Sequence, residues 1–272
     1  MALVKVRQPG HMRAMSDAQI FDRHAVRLHR DRSAATLEAV TPVLTDCAER
    51  LLDRLDDVTR DFAQALDLGG RGVVAPMLRA RGIEVVSADL SPTMASINGA
   101  PCVAADEEWL PFAAASFDLV VANLSLHWVN DLPGALIQIR RALRPGGLFL
   151  ASLPALGTLG ELRGALTAAE DALSGGASPR VSPFPQLSDL AGLLQRAGFS
   201  LPVADVEDIA LAYADPLMLL RDLRAAGETN ASVHRSRRFA AGRLFAAALA
   251  GLPSADGRSS VTLRLATVTG WA

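Results

Sequence analysis

The chain predicts an α/β fold built on an open sheet of seven strands, mostly parallel with an antiparallel edge. Three stretches carry that expectation. Ala65 to Leu68 is a short apolar run around Asp67 that breaks into Gly69-Gly70-Arg71-Gly72. This is the pattern of a buried parallel strand followed by a turn that needs positive φ and close approach to the backbone. Phe117 to Asn123 is almost continuously apolar, as a strand covered on both faces must be. Leu143-Arg144-Pro145-Gly146-Gly147 is a tight turn into the apolar Leu148-Phe149-Leu150.

Composition narrows the function. Half of the 272 residues are hydrophobic, enough to bury one large α/β core with an elaborated tail. A net charge of -2, from 27 basic and 29 acidic side chains, supplies no field for nucleic acid. Cys47 and Cys102 form no zinc or iron–sulfur pattern, so no metal is expected and a reducing, cytoplasmic setting fits. No apolar run reaches bilayer length, which leaves peripheral contact as the membrane role. H-E-x-x-H, G-x-S-x-G and Walker lysine motifs are missing, so hydrolase and nucleotidase readings lack their parts.

In order, residues 1–34 read as an N-terminal extension and flap. Met1 to Ala14 carry Lys5, Arg7 and Arg13 without an acid, and Met15-Ser16-Asp17 reads as a start. Asp17 to Ala35 is a basic helical stretch with two readings, a solvated helix or a flap over a cofactor or partner. Residues 35–272 form the main domain. Leu37, Val40, Leu44, Ala48, Leu51 and Leu55 keep helical spacing before the first strand. A helix from about Val73 to Ala80 follows the glycine turn and aims its amides at whatever the turn holds.

Ile83 to Asp89 is a second strand ending in an acid, where a carboxylate can accept from ribose hydroxyls; capping of the helix begun at Ser91-Pro92 is the alternative. Pro101 to Ala105 is a third strand, followed by Asp106. Leu124 to Val129 leaves the carboxyl end of the fourth strand, where open parallel sheets bind ligands, and Asp131 caps the next helix. Beyond Ser152, helices at about 157–200 and 215–252 read as a cap for substrate or partner. The segments 203–213 and 261–268 read as the antiparallel edge. Arg235 to Arg238 reads as a solvated helix start.

Gly70, Gly72 and Ala75 fit the G-x-G-x-x-A form of dinucleotide sites. With Asp67 in front, the turn resembles the D-x-G-x-G-x-G loop of class I S-adenosylmethionine (SAM) methyltransferases, one residue short between Gly69 and Gly70. Such methyltransferases commonly enter their fifth strand through an L-x-P-G-G turn, so the resemblance implies a Rossmann-like class I methyltransferase fold with SAM as cofactor. It assigns Asp67, Gly69, Gly70 and Gly72 to the methionine end, Asp89 and Leu90 to the ribose, and Asp106 and Glu107 to adenine. Asn123 and Leu124 complete the set.

Further motifs are similar to those of a narrower family. Asp106-Glu107-Glu108, Leu124-Ser125-Leu126-His127-Trp128-Val129-Asn130-Asp131, Thr158-Leu159-Gly160-Glu161-Leu162-Arg163, Gly227-Glu228-Thr229-Asn230 and Thr269-Gly270-Trp271 resemble the mitochondrial complex I assembly factor of methyltransferase fold and its bacterial relatives. The BioC enzymes, which methylate the free carboxyl of a malonyl thioester, share the His-Trp motif and the Thr-Leu-x-Glu-Leu-Arg helix start. The Gly227 to Asn230 block sides with the assembly factor. The resemblance implies a SAM-dependent methyltransferase with a complex I subunit as protein substrate or partner. Protein-arginine hydroxylation, a non-catalytic assembly role and malonyl-thioester methylation are the alternatives. His127 is the candidate catalytic base, with Trp128, Glu161 and Arg163 toward the substrate.

Overall fold

The computed structural model describes residues 19–236 and 242–272. The expectations placed on Met1 to Asp17 and on Arg237, Arg238 and Phe239 lie outside the described residues.

Helix α1 (Arg23–Ser33) is capped by Asp22, whose carboxylate accepts from the Ala25 amide. α2 (Thr41–Leu52) lies between single 3-10 turns at Leu37–Val40 and Asp53–Leu55. The parallel half then alternates strand and helix: β1 (Gln64–Leu68), α3 (Val74–Ala80), β2 (Glu84–Asp89), α4 (Pro92–Ile97), β3 (Cys102–Ala104), β4 (Phe117–Asn123), α5 (Leu132–Ala142) and β5 (Leu143–Pro154). The later part comprises α6 (Gly160–Ser174), α7 (Leu187–Arg196), β6 (Ser200–Tyr213), α8 (Leu217–Ala225), α9 (Gly242–Ala250), β7 (Ser254–Ala255) and β8 (Arg258–Trp271).

The strands run in the order β3-β2-β1-β4-β5-β8-β6, parallel from β3 to β5 and antiparallel where β8 joins β5 and β6. The expected seven-strand path and its antiparallel edge are present. An eighth strand, the two-residue β7, folds back onto β8. The edge strands exceed the apolar segments 203–213 and 261–268 because the ladder runs from Ser200↔Trp271 to Tyr213↔Ser259, satisfying backbone groups that hydropathy does not report.

Side chains alternate across the sheet into two cores. Ala65, Val85, Leu119, Val121, Leu148 and Leu150 pack under α2 and α3. Leu66, Leu68, Val120, Ala122, Phe149 and Ala151 pack under α5 and α7 on the other face. α6 and α9 join Leu219 of α8 and Val261 of β8 in a separate cluster. Packing on both faces leaves the strand ends for ligands. At the carboxyl ends α1 lies across the sheet, tied down by Asn130, whose Oδ1 accepts from the Ile20 and Phe21 amides at 2.9 and 2.8 Å. The Asp22 amide donates to the Ala231 carbonyl at 2.8 Å. A depression of about 950 Å³ opens at the amino ends instead, beside Gln64, Glu84, Pro101, Ser116 and Arg144.

Candidate cofactor and acceptor site

The acids that end β2 and follow β3 meet at one place, bridged by arginines of α1. Arg30, 1% exposed, puts Nη1 2.8 Å from Asp89 Oδ2 and 3.3 Å from Glu107 Oε1. Arg23 Nη2 donates to Asp106 Oδ1 at 2.6 Å and also to Glu107 Oε2. Burial works against the charge on Glu107, but Arg23 and Arg30 hold its carboxyl below the usual range. Burial pushes the Asp89 carboxyl up, with Arg30 pulling the other way. The solvated reading of this helix is therefore overturned. Arg30 sits on the inward stripe with Val26 and Ser33, at helical spacing. Ser91, not Asp89, caps α4, its Oγ accepting from the Met94 amide at 3.0 Å.

The glycine turn closes the same space from below. A Cβ on Gly69 (φ +74°) would lie 2.5 Å from Ser125 Cβ and 3.2 Å from Arg30 Nη1. One on Gly70 would lie 1.9 Å from Asp67 Oδ1. Asp67, the last residue but one of β1, lies under this turn, with Oδ1 buried and without a hydrogen-bond partner among the described residues, while Oδ2 accepts from Asn98 Nδ2 at 3.2 Å. Burial, with Asp89 adding to it, pushes the Asp67 carboxyl up to about 7. Arg71 does not pair with Asp67. Its Nη2 donates to the Leu124 carbonyl and to Glu228 Oε1, both at 2.5 Å.

His127 and Trp128 stand in the 3-10 turn after β4, both buried. His127 Nε2 lies 2.8 Å from Glu228 Oε2, which also accepts from Trp128 Nε1 at 2.8 Å. The Phe184 ring lies 6.3 Å from the imidazole, and His127 Nδ1 is buried without a partner among the described residues. Burial disfavours the imidazolium and lowers its pKa against the pull of Glu228. Burial opposes ionisation of Glu228 too, yet His127 and Arg71 hold its carboxyl well below the usual range.

The remaining expected residues divide. Leu90 packs beside Phe21, Val26 and Trp128 at the site's wall. Gly72 (φ +85°) completes the turn near Ile97. Leu124 contributes its carbonyl. Asn123 is directed away: its Nδ2 donates to the Leu44 carbonyl at 3.1 Å and its Oδ1 accepts from Ser152 at 2.7 Å. Glu161 is also drawn elsewhere, accepting from Thr262 Oγ1 at 2.6 Å, while exposed Arg163 donates to the Ser182 carbonyl at 2.8 Å. Neither contacts His127 through a described bond. Arg235 is not a solvated helix start either, since it pairs with Asp22 at 2.8 Å.

Glu228, Arg23, Arg30 and Asn130 went unassigned on sequence. The one signal for Arg30 was a charge on the inward stripe of an otherwise polar helix; Glu228 stood inside a recognised motif with no role attached.

A glycine turn and acids gathered at the carboxyl ends of a parallel sheet define a nucleotide-cofactor enzyme of open α/β class. A methyltransferase domain model matches residues 66–151. The arginine-hydroxylase NDUFAF5, mitochondrial, of Danio rerio is 36% identical over 264 residues, covering 93% of this chain and 82% of the relative. The Homo sapiens protein of that name is 38% identical, covering 93% and 76%. A malonyl-[acyl-carrier protein] O-methyltransferase from Halorhodospira halophila is 38% identical, covering 81% and 77%. The chain belongs to the family of class I SAM-dependent methyltransferases that contains both groups. Its fold is also that of the YcgJ protein from Bacillus subtilis (TM-score 0.55, 15% identity, covering 81% and 97%). The [4+2]-cyclase SpnF shares it too (TM-score 0.54, 18% identity, covering 95% and 98%).

Proposed function

We propose that this chain binds SAM between the glycine turn and α1 and transfers a methyl group to a side chain of a complex I subunit. The observation that carries the reading is that three separate loops converge on a single cation-sized space. Gly69 from the first βα turn, Asp89 from the second and Glu107 after β3 all surround one guanidinium group. SAM is cationic at its sulfonium and presents ribose hydroxyls, so the same acids suit it. The orphaned Asp67 oxygen and the cradle at Gly70 fit its amino-acid end.

In this reading Asp67, Gly69, Gly70, Gly72 and the Leu124 carbonyl hold the methionine part. Asp89, Leu90, Asp106 and Glu107 hold the adenosine, and Asn123 supports the strand end. SAM supplies an electrophilic methyl group, and the protein's share is placement of the acceptor and handling of its proton. Arg30 must release Asp89 when ribose engages it, which makes residues 1–34 an extension carrying a flap and 35–272 the catalytic domain. The late helices form the cap, with Trp128 and Arg163 toward the acceptor. The NDUFAF5 relatives favour a respiratory-complex partner, because they align over 93% of this chain against 81% for the malonyl enzyme of Halorhodospira halophila. A cytoplasmic setting with peripheral membrane contact accompanies the reading; among the described residues no helix is long and apolar enough to cross a membrane.

The test has two stages. Isothermal titration with SAM should give saturable binding, and its absence would leave a scaffold role. Mass spectrometry of a complex I subunit and of malonyl-coenzyme A after turnover then reads the reaction. A gain of one methyl on the subunit supports the proposal, whereas hydroxylation or a malonyl methyl ester replaces it.

A further inference from the structure

Glu228 is the node of the acceptor end, and its bonding settles which nitrogen of His127 carries a proton. Trp128 Nε1 and Arg71 Nη2 are donors only, so both Glu228 oxygens act as acceptors, as an ionised carboxylate does. His127 Nε2, 2.8 Å from the same Oε2, is therefore the donor of that bond. A neutral imidazole that donates through Nε2 keeps its lone pair on Nδ1. That Nδ1 is buried and has no partner among the described residues. A buried nitrogen acceptor left open beside Trp128 and Phe184 has one kind of complement, an N–H or O–H brought in by the acceptor substrate.

We propose that Glu228 is a positioning residue that fixes the Nε2–H tautomer of His127, so that Nδ1 takes the proton from an acceptor whose nucleophilic N–H or O–H must be lost on alkylation. The inference rests on the methyl-transfer reading and names its acceptor class. A lone pair of the acceptor nitrogen or oxygen forms the new bond to carbon, the N–H or O–H bonding pair stays on that atom, and the proton passes to Nδ1. The S–C bonding pair of the sulfonium stays on sulfur as a neutral thioether. The imidazolium formed is stabilised by Glu228 across Nε2. A malonyl carboxylate has already lost its proton at neutral pH and needs no such base. The charged groups facing His127 are Glu228 from the loop after α8, Arg71 from the glycine turn and Arg30 from α1.

The test begins on the free, nitrogen-15-labelled protein. Long-range proton–nitrogen correlation should show His127 protonated at Nε2 and bare at Nδ1 above its titration; a bare Nε2 would overturn the proposal. In Glu228→Gln the side chain still accepts from Nε2–H but no longer stabilises the imidazolium. Its His127 midpoint should fall by about one unit, and turnover of an arginine-bearing peptide at pH 7 should fall about 100-fold. The acid limb of the rate profile should move with the midpoint. An unmoved midpoint, or lost turnover with an unmoved acid limb, would reduce Glu228 to packing. Should Glu228→Gln not fold, the wild-type tautomer decides, and it does so whether or not SAM binds. Failure of SAM titration alone would defeat the methyl-transfer reading and leave the tautomer standing.

Discussion

The two ends of the proposed site neutralise their charges in different ways. At the adenosine end, Asp89, Asp106 and Glu107 depend on Arg23 and Arg30, which both ride on one helix. That helix is also held by Asn130 to the Ile20 and Phe21 amides, by Asp22 to Arg235, and by packing of Phe21, Ala25 and Val26 on Trp128 and Ala231. At the acceptor end, His127, Trp128, Glu228 and Arg71 come from three loops and satisfy one another. In the proposed function the first set hands its acids to the hydroxyls and amino group of an incoming adenosine when one element moves. Among the described residues the second leaves two buried nitrogens open, the acceptor His127 Nδ1 and the donor Arg71 Nε. Exchangeable pairing suits a ligand that comes and goes, and a fixed network suits proton transfer.

The sharpest way to break the comparison is Arg30→Met. It removes one cation from two buried carboxyls, and breaking a buried pair costs about 3–5 kcal/mol. Urea unfolding without cofactor should show that loss, and saturating SAM should recover part of it. A loss unaffected by SAM would mean that the acids are structural only.

Next is Asp67→Asn, read through pH. The Asp67 carboxyl, ordinarily near 3.8, is pushed up to about 7 in the fold. Between those values the folded state binds a proton that the unfolded chain has released, so this group makes stability fall as pH rises through that window. The variant should unfold at the wild-type urea midpoint near pH 4 and at a higher one at pH 8. An offset equal at both pH values would contradict the assignment.

Gly69→Ala should cost about 2 kcal/mol, since φ is +74° and the new methyl meets Ser125. SAM affinity by titration should drop about tenfold with it. The smallest effect belongs to Glu161→Ala, which removes hydrogen bonds to Thr262 worth about 1 kcal/mol. It should leave SAM affinity within about twofold; a larger change would return Glu161 to the cleft.

What the sequence made legible follows from locality. Asp67, Asp89 and Asp106 were found because each lies in, at the end of, or just after a short apolar run, and the Pro145-Gly146-Gly147 turn because turn chemistry is local. Arg30 pairs with Asp89 from 59 positions away, and His127 meets Glu228 across 101. No periodicity reports such pairs. Asn123 entered the cofactor set with the resemblance, but a place at a strand end does not say which face a side chain takes, and here it turns toward α2 and β5. Glu161 opens α6 as expected and then spends its carboxylate on β8, a partner fixed by how the late helices pack.

The most direct measurement of the central claim is a calorimetric titration of SAM into the wild-type protein and into Asp89→Asn. The account predicts one saturable site in the wild type and at least about a tenfold weaker one, equivalent to about 1.4 kcal/mol, in the variant. No saturable heat in the wild type, or equal affinity in both proteins, would contradict it.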